Sequence, residues 1–229
     1  MSPVSQERNA RTELLIGAEA VERLSRLRIA VFGVGGVGGG VIEALARCNV
    51  GAIDVIDGDC VTEGNLNRQM IATVETLGMR KVTAAAERIR AVNPDCIVRE
   101  HDVFVTADNA VDFDFSKYDY VVDAIDNVTA KIAIAKACSN AAIPHIMCLG
   151  TGNKLDPLRL QIGKLSETQV CPLARAMRRE LKELSGQIQV LWSDEQPLTN
   201  ARPPGSVPFV PPVAGMMIAG YVIRRLLEL

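Results

Sequence analysis

The chain predicts a doubly wound α/β fold: a mainly parallel sheet with helices on both faces and an antiparallel C-terminal extension. Three observations predict it. The apolar run ending at Phe32 breaks into Gly33-Val34-Gly35-Gly36-Val37-Gly38, followed by an alanine-rich helical segment and a second apolar run ending at Asp57. Apolar runs then alternate with segments of helical period as far as residue 150, the pattern of parallel strands joined by helical crossovers. The run Tyr118 to Ile125 is apolar enough to lie buried on both faces. Together these describe a Rossmann-like sheet.

In order, residues 12–27 read as one helix or a pair of short ones, with Leu14, Leu15, Ala18, Val21 and Leu24 as the apolar stripe. Strand one is 28–33, its helix 36–48 and strand two 52–57. A polar loop, Gly58 to Gln69, leads to a helix from about Thr76 to Val92, stopped by Asn93-Pro94. Strand three covers 97–103, a helical turn 107–113 and strand four 118–125. The helix Thr129 to Ala142 passes through Pro144 into strand five, 145–150. Past Gly152 come a strand at 159–165, a helix from Pro172 to Leu184 and a strand at 188–193, read as extending the sheet antiparallel. Residues 194–212 hold six of the eleven prolines and read as a lid or loop. The whole, 1–229, is one domain with an N-terminal helical arm (1–27) and a C-terminal extension (153–229).

Composition bounds the function. A net charge of −2 gives no overall attraction to nucleic acid, so any such contact needs a local patch. Met1 to Arg11 is polar and charged, unlike a signal peptide. The six cysteines form no C-x-x-C pair or regular framework, which fits a reducing cytoplasm. With two histidines besides, a structural zinc site is not expected. Pro203 to Ile223 carries no charge, but its prolines leave only Val213 to Ile223 helical, shorter than the ~20 residues of a membrane span. A buried helix is expected there.

Gly33, Gly35 and Gly38 stand at G-x-G-x-x-G spacing, where glycine allows a tight turn and close approach of backbone N–H groups to phosphate. Asp57 ends the second strand where an acid can hold ribose hydroxyls. A nicotinamide-dependent dehydrogenase reads the same way to this point. Further on stand Asp59, Asn65, Arg68, Gln69, Lys81, Asp126 and Asn127. Asp57 and Asp126 both end strands and should face one crevice. Arg68 and Lys81 beside it are more cation than a dinucleotide pyrophosphate requires; they suit a triphosphate that loses pyrophosphate. Asp126 could hold Mg²⁺ through one carboxylate. Each also has a plainer reading: Arg68 a solvated loop cation, Lys81 a helix-surface residue, Asp126 a helix N-cap. Cys171, just before Pro172, reads as a helix cap or a reactive thiol, and His145 as a packed or surface histidine.

The combination G-x-G-G-x-G, D-x-D, N-x-x-R-Q, a lysine thirteen residues after the arginine, then D-N resembles the ubiquitin-activating-enzyme-like adenylyltransferases over nearly the whole chain. The resemblance implies ATP and Mg²⁺ as cofactors. Gly33, Gly35, Gly36, Gly38, Asp57, Asp59, Asn65, Arg68, Gln69, Lys81, Asp126 and Asn127 would form the nucleotide site. Within it Asp57 would hold the ribose, Asn65, Arg68 and Lys81 the phosphates, and Asp126 the metal. Arg11, in Asn9-Ala10-Arg11-Thr12-Glu13-Leu14-Leu15, would reach the neighbouring subunit's ATP in a homodimer. Val213 to Ile223, with Gly215, Ala219 and Gly220 permitting close helix approach, is the second support for that dimer.

Members that activate sulfur-carrier proteins usually carry two C-x-x-C zinc knuckles, and this chain has none. Ala124 to Lys131, Asp156-Pro157, Pro172 to Arg175 and Pro211 to Gly215 instead resemble a branch that dehydrates a modified tRNA adenosine. A tRNA partner follows, and Arg175, Arg178, Arg179 and Lys182 would present it one continuous helix face. A sulfur-transfer (cysteine desulfurase) system is a candidate further partner. The alternative is adenylation of the C-terminus of a sulfur-carrier or ubiquitin-like protein. A dehydrogenase would leave Arg68, Lys81 and Asp126 idle, and a catalytically silent nucleotide-binding protein would hold them without turnover.

Overall fold

The structure, a computed structural model, describes residues 3–229. Its elements are α1 (Pro3–Ile16), α2 (Ala18–Leu24), β1 (Arg28–Phe32), α3 (Gly36–Arg47), β2 (Ala52–Ile56), α4 (Lys81–Val92) and β3 (Ile97–His101). There follow β4 (Tyr120–Asp123), α5 (Val128–Asn140), β5 (His145–Cys148), β6 (Leu160–Lys164), α6 (Pro172–Glu180), β7 (Gln189–Ser193) and α7 (Pro211–Leu227). One sheet holds the strands in the order β3-β2-β1-β4-β5-β7-β6. The chain reverses direction across the sheet between β1 and β4, so the ligand crevice opens there, at the carboxyl ends of the strands.

Four differences from the sequence reading stand out. The N-terminal arm is a pair of helices, one of its two readings, because Gly17, at φ +87°, breaks it, but the first helix begins at Pro3 rather than near residue 12. α4 starts at Lys81 rather than Thr76: Thr73 and Thr76 close a short 3₁₀ turn on each other, and Gly78 then takes φ +81°. α6 stops at Glu180, four residues short of Leu184, as Leu181 leaves helical geometry. Of the two late strands only β6 is antiparallel. β7 runs parallel to β5, and β6 pairs outside it as the edge strand.

α7 begins earlier than expected, at Pro211. Prolines suit a first turn, where an N–H would have no helical partner. Its apolar surface is covered within its own chain. A Cβ on Gly215 would lie 2.2 Å from the Val37 carbonyl oxygen, and one on Gly40 2.5 Å from that of Pro212. Ala214, Ile218, Ala219 and Val222 are fully buried in the same core as Val41, Ile42 and Leu45 of α3. The dry surface that the sequence reading gave to a dimer partner is therefore α3, and Gly220 is left exposed. Among the described residues, no helix is long and apolar enough to cross a membrane.

The opposite face of the sheet packs Phe32, Val121, Ile134 and Cys138 with the aromatic cluster of Phe113 and Phe115. Toward the amino end of the sheet, Asp54 lies fully buried in the middle of β2. Arg28 grips it with two hydrogen bonds (2.9 and 2.7 Å), His101 approaches to 2.9 Å, and the Tyr118 hydroxyl donates at 3.2 Å.

Candidate nucleotide site

The glycines form a cradle. Gly33 takes φ +83°, and a Cβ there would lie 2.8 Å from the Ala124 carbonyl oxygen. A Cβ on Gly38 would overlap Gly33, 1.8 Å from its carbonyl oxygen. The turn therefore folds onto itself and onto the segment after β4. No side chain caps α3 at Gly35, so its first N–H groups are free to meet an anion.

Asp57, following β2, ties the cradle down. Its Oδ2 accepts the Val34 N–H and its Oδ1 the Asp59 N–H, both at 2.9 Å. Each oxygen keeps acceptor capacity for a hydroxyl. Lys81 opens α4 with its side chain 8% exposed, its Nζ donating to Asp59 Oδ2 at 2.7 Å. That removes the plainer reading of Lys81 as a helix-surface residue. A cation is unfavourable at a helix N-terminus, and the Asp59 carboxylate offsets it. Gln69 is buried with Oε1 unpartnered, and its Nε2 is the nearest atom to where a Gly35 Cβ would stand, at 3.6 Å.

Arg68 is half-buried and turned onto its own loop, donating to the Gly64 carbonyl (2.7 Å) and Asn67 Oδ1 (2.9 Å). Asn65 Oδ1 accepts the Thr62 N–H at 3.1 Å, shaping the same loop. Arg68 is thus held by neutral acceptors that a charged phosphate can displace, whereas Asn65 keeps its amide N–H₂ free to donate.

Asp126 is exposed in the four-residue turn between β4 and α5. It is not the helix cap. Asn127 is, its Oδ1 accepting the Ala130 N–H at 3.0 Å and the Thr129 hydroxyl at 2.7 Å. That leaves the Asn127 amide N–H₂ for a ligand. Among the described residues, no cluster of three or more His, Cys, Asp or Glu could hold a metal.

Other candidates lie outside the crevice. Arg11 is exposed on α1, near Leu14 and Leu15 (89% and 83% exposed). Among the described residues, no hydrogen bond or ion pair joins Arg11 to the crevice. The basic stripe is not continuous. Arg175 and Arg179 are exposed on α6, with Arg179 paired to Glu180. Arg178 turns inward to the carbonyl (2.8 Å) and hydroxyl of Thr168, and Lys182 lies past the helix end. Cys171 is the buried N-cap residue of α6, and its thiol makes no capping bond.

Two features escaped the sequence reading. Arg80 clamps the D-x-D loop, donating to the Gly58 carbonyl (2.5 Å) and to both oxygens of Asp102. Asp123 and Lys131 form a fully buried ion pair at 2.8 Å behind the Asp126 turn. The signal for the pair was an acid closing an otherwise apolar strand, with a lysine eight residues on amid alanines and isoleucines. His145 is at the neighbouring strand's start, its Nε2 buried without a partner. Burial, with help from Lys131, pushes that imidazole down to about 4.

A family model described as the ThiF family matches residues 7–229. The tRNA threonylcarbamoyladenosine dehydratase of Bacillus subtilis is 38% identical over 239 aligned residues, covering 96% of this chain and 94% of that one. The Escherichia coli protein of the same name is 39% identical over 189, covering 82% and 70%. Among solved structures, the Escherichia coli tRNA N6-threonylcarbamoyladenosine dehydratase in complex with ATP superposes with a TM-score of 0.94 at 33% identity, covering 99% and 96%. Its AMP complex gives 0.93.

Proposed function

We infer that this chain, which belongs to the ThiF family within the ubiquitin-activating-like adenylyltransferases, is an ATP-dependent dehydratase of threonylcarbamoyladenosine in tRNA. One observation carries the reading: the likeness to the ATP- and AMP-bound dehydratase runs over 99% of the chain. A carrier-protein adenylyltransferase, the alternative, has no comparable support at this coverage.

The reaction is carboxylate activation. A threonyl carboxylate oxygen of the modified nucleoside attacks the ATP α-phosphorus, and pyrophosphate leaves. A nitrogen of the same side chain then attacks the acyl carbon and expels AMP, closing a ring. The nucleoside loses the elements of one water, whose oxygen departs in AMP. In this reading the α3 N-terminus and Gly33 to Gly38 cradle the phosphates and Asp57 receives the ribose hydroxyls. Lys81 leaves Asp59, and Arg68 leaves Gly64, to neutralise the departing pyrophosphate. A single exposed carboxylate at Asp126 suits Mg²⁺ brought in on the triphosphate, since this ion commonly takes one or two carboxylates beside phosphates and water.

Arg11 with the exposed Leu14 and Leu15 supports a homodimer in which each arginine serves the other subunit's ATP. A tRNA substrate and six free cysteines agree with the cytoplasm, where a cysteine desulfurase system could act beside it. For tRNA binding, Arg175 and Arg179 remain as the exposed cations of α6. Arg175→Glu with Arg179→Glu is expected to weaken tRNA affinity and to flatten its salt dependence, the slope falling by about 0.7–0.9 for each phosphate no longer neutralised. Unchanged affinity moves the RNA surface elsewhere.

The test of the activity is to incubate the chain with ATP and threonylcarbamoyladenosine-bearing tRNA, then weigh the nucleoside. Loss of one water, with AMP and pyrophosphate formed, is expected. An unchanged nucleoside mass, or AMP transfer to a small Gly-Gly-ended protein instead, overturns the reading.

A further inference from the structure

The Asp123–Lys131 pair is costly to keep. Both side chains are fully out of water, and Lys131 satisfies only Oδ1 of Asp123, leaving Oδ2 buried without a partner. Ion pairs of this kind are often no more stabilising than apolar side chains of the same size. Stability alone therefore gives little reason for it.

Its connections give a better one. Asp123 is the last residue of β4, and its Oδ1 also accepts the Ile125 N–H at 3.2 Å. Ala124 N–H donates to the Phe32 carbonyl at 2.8 Å, and the Ala124 carbonyl lies against Gly33. On the far side, the Lys131 N–H bonds the Asn127 carbonyl at 3.0 Å, so its ammonium reaches back from the first turns of α5. The ion pair thus closes a ring around residues 124–127, holding the turn at both ends against the glycine cradle.

We propose that Asp123 and Lys131 are positioning residues for the nucleotide site, fixing the 124–127 turn on Gly33 and setting where the Asp126 carboxylate stands. This rests on the reading of Asp126 as the residue that meets the metal-bound triphosphate. The single variant Lys131→Met would leave a buried, uncompensated carboxylate and is expected to unfold readily. The informative variant is the apolar double, Asp123→Leu with Lys131→Met. It should fold with a Tm at or above wild type. A purely structural pair would then be fully replaced. A positioning pair would not: kcat should fall on the order of a hundredfold, the cost of about an ångström of misplacement, with KM for tRNA unchanged. ATP affinity should fall severalfold in the presence of Mg²⁺ and little in its absence, read by calorimetry without tRNA. That arm is independent of the tRNA reaction, whose failure would appear in the wild type itself.

A folded double variant with wild-type kcat and wild-type Mg²⁺ enhancement of ATP binding overturns the proposal. Should the double variant not fold, Lys131→Arg decides. It keeps the charge but changes its reach, so a smaller loss of Mg²⁺-dependent ATP affinity at wild-type Tm is expected, and wild-type affinity overturns the proposal equally.

Discussion

Two fully buried carboxylates, Asp54 and Asp123, lie two strands apart in one sheet and are treated in opposite ways. Asp54 receives Arg28 in a bidentate grip, His101 and the Tyr118 hydroxyl. Burial pushes its carboxyl up, but the hydrogen bonds from His101 and Arg28 outweigh that and hold it at about 2. Asp123 has one lysine and one backbone N–H, and burial dominates, raising its carboxyl above the ordinary value. Satisfying a buried charge from several sides makes it a strut. A half-satisfied charge at the carboxyl end of its strand adds little to stability, and its value lies in what it holds in place.

The largest effect should come from breaking the strut. Asp54→Ala takes the partner from Arg28, His101 and the Tyr118 hydroxyl at once. Arg28 keeps 22% exposure and part of its hydration, so the cost should fall at or a little below the low end of the about 3–5 kcal/mol for breaking a fully buried pair. Denaturant unfolding should show that loss, while the fraction still folded binds ATP with near wild-type affinity. A loss below about 1 kcal/mol, the range of exposed pairs, would break the comparison at its stable end.

Next in size are the crevice cations. Lys81→Ala, or Arg68→Ala, should lower kcat by roughly a hundredfold, the loss of one preorganised electrostatic donor, with a smaller effect on ATP binding. Lys81→Ala should cost little stability, because its partner Asp59 is half exposed and can be hydrated. Wild-type turnover in either variant removes the assigned role.

The pH dependence of stability sharpens the contrast. The folded Asp54 value lies below its unfolded one, so its contribution is complete above about pH 4 and is lost as pH falls toward about 2. That is roughly 2 kcal/mol. Asp123, shifted the other way, contributes with opposite sign: its charged form is disfavoured in the fold as pH rises past the unfolded value. His145 adds an earlier step, since its neutral form is favoured and stability drains between about pH 6.5 and 4. His145→Gln should flatten the upper window and leave the lower one, and an unchanged upper window would deny the imidazole its buried state.

Much of this was legible beforehand because it is local. The glycine spacing, the alternation of strands and helices, and Asp57 at a strand end all follow from short-range backbone needs. The direction of β7 was not legible, because direction within a sheet depends on where the chain re-enters it. Nor was the cover of α7: an uncharged helix face demands a dry partner, and only packing tells that Gly40 and Gly215 let α3 supply it. The basic stripe failed on a boundary. Once α6 ends at Glu180, helical spacing no longer places Lys182, and Thr168, ten residues before Arg178, draws that arginine inward. Asp123 with Lys131 was missed because each looks ordinary in sequence and unusual only when buried together.

The smallest effect tests what holds the Asp126 turn. Asn127→Ala removes the acceptor for the Ala130 N–H and the Thr129 hydroxyl, a cap loss worth about 1 kcal/mol, or roughly 2–4 °C in Tm for a chain of this size. The cap and the ion pair grip α5 in adjacent turns but differently. The cap organises the helix's first N–H groups, whereas Lys131 ties the helix to the end of β4. If the pair sets the turn, cap loss frays one end of α5 while Asp123 still holds Ile125 and Ala124 still lies on Gly33. Mg²⁺-dependent ATP affinity should then drop less in Asn127→Ala than in the apolar Asp123/Lys131 double variant, although the cap variant is the less stable of the two. The reverse ranking would mean that an exposed asparagine, and no buried charge, positions Asp126, and the half-satisfied carboxylate would then have no task that distinguishes it from Asp54.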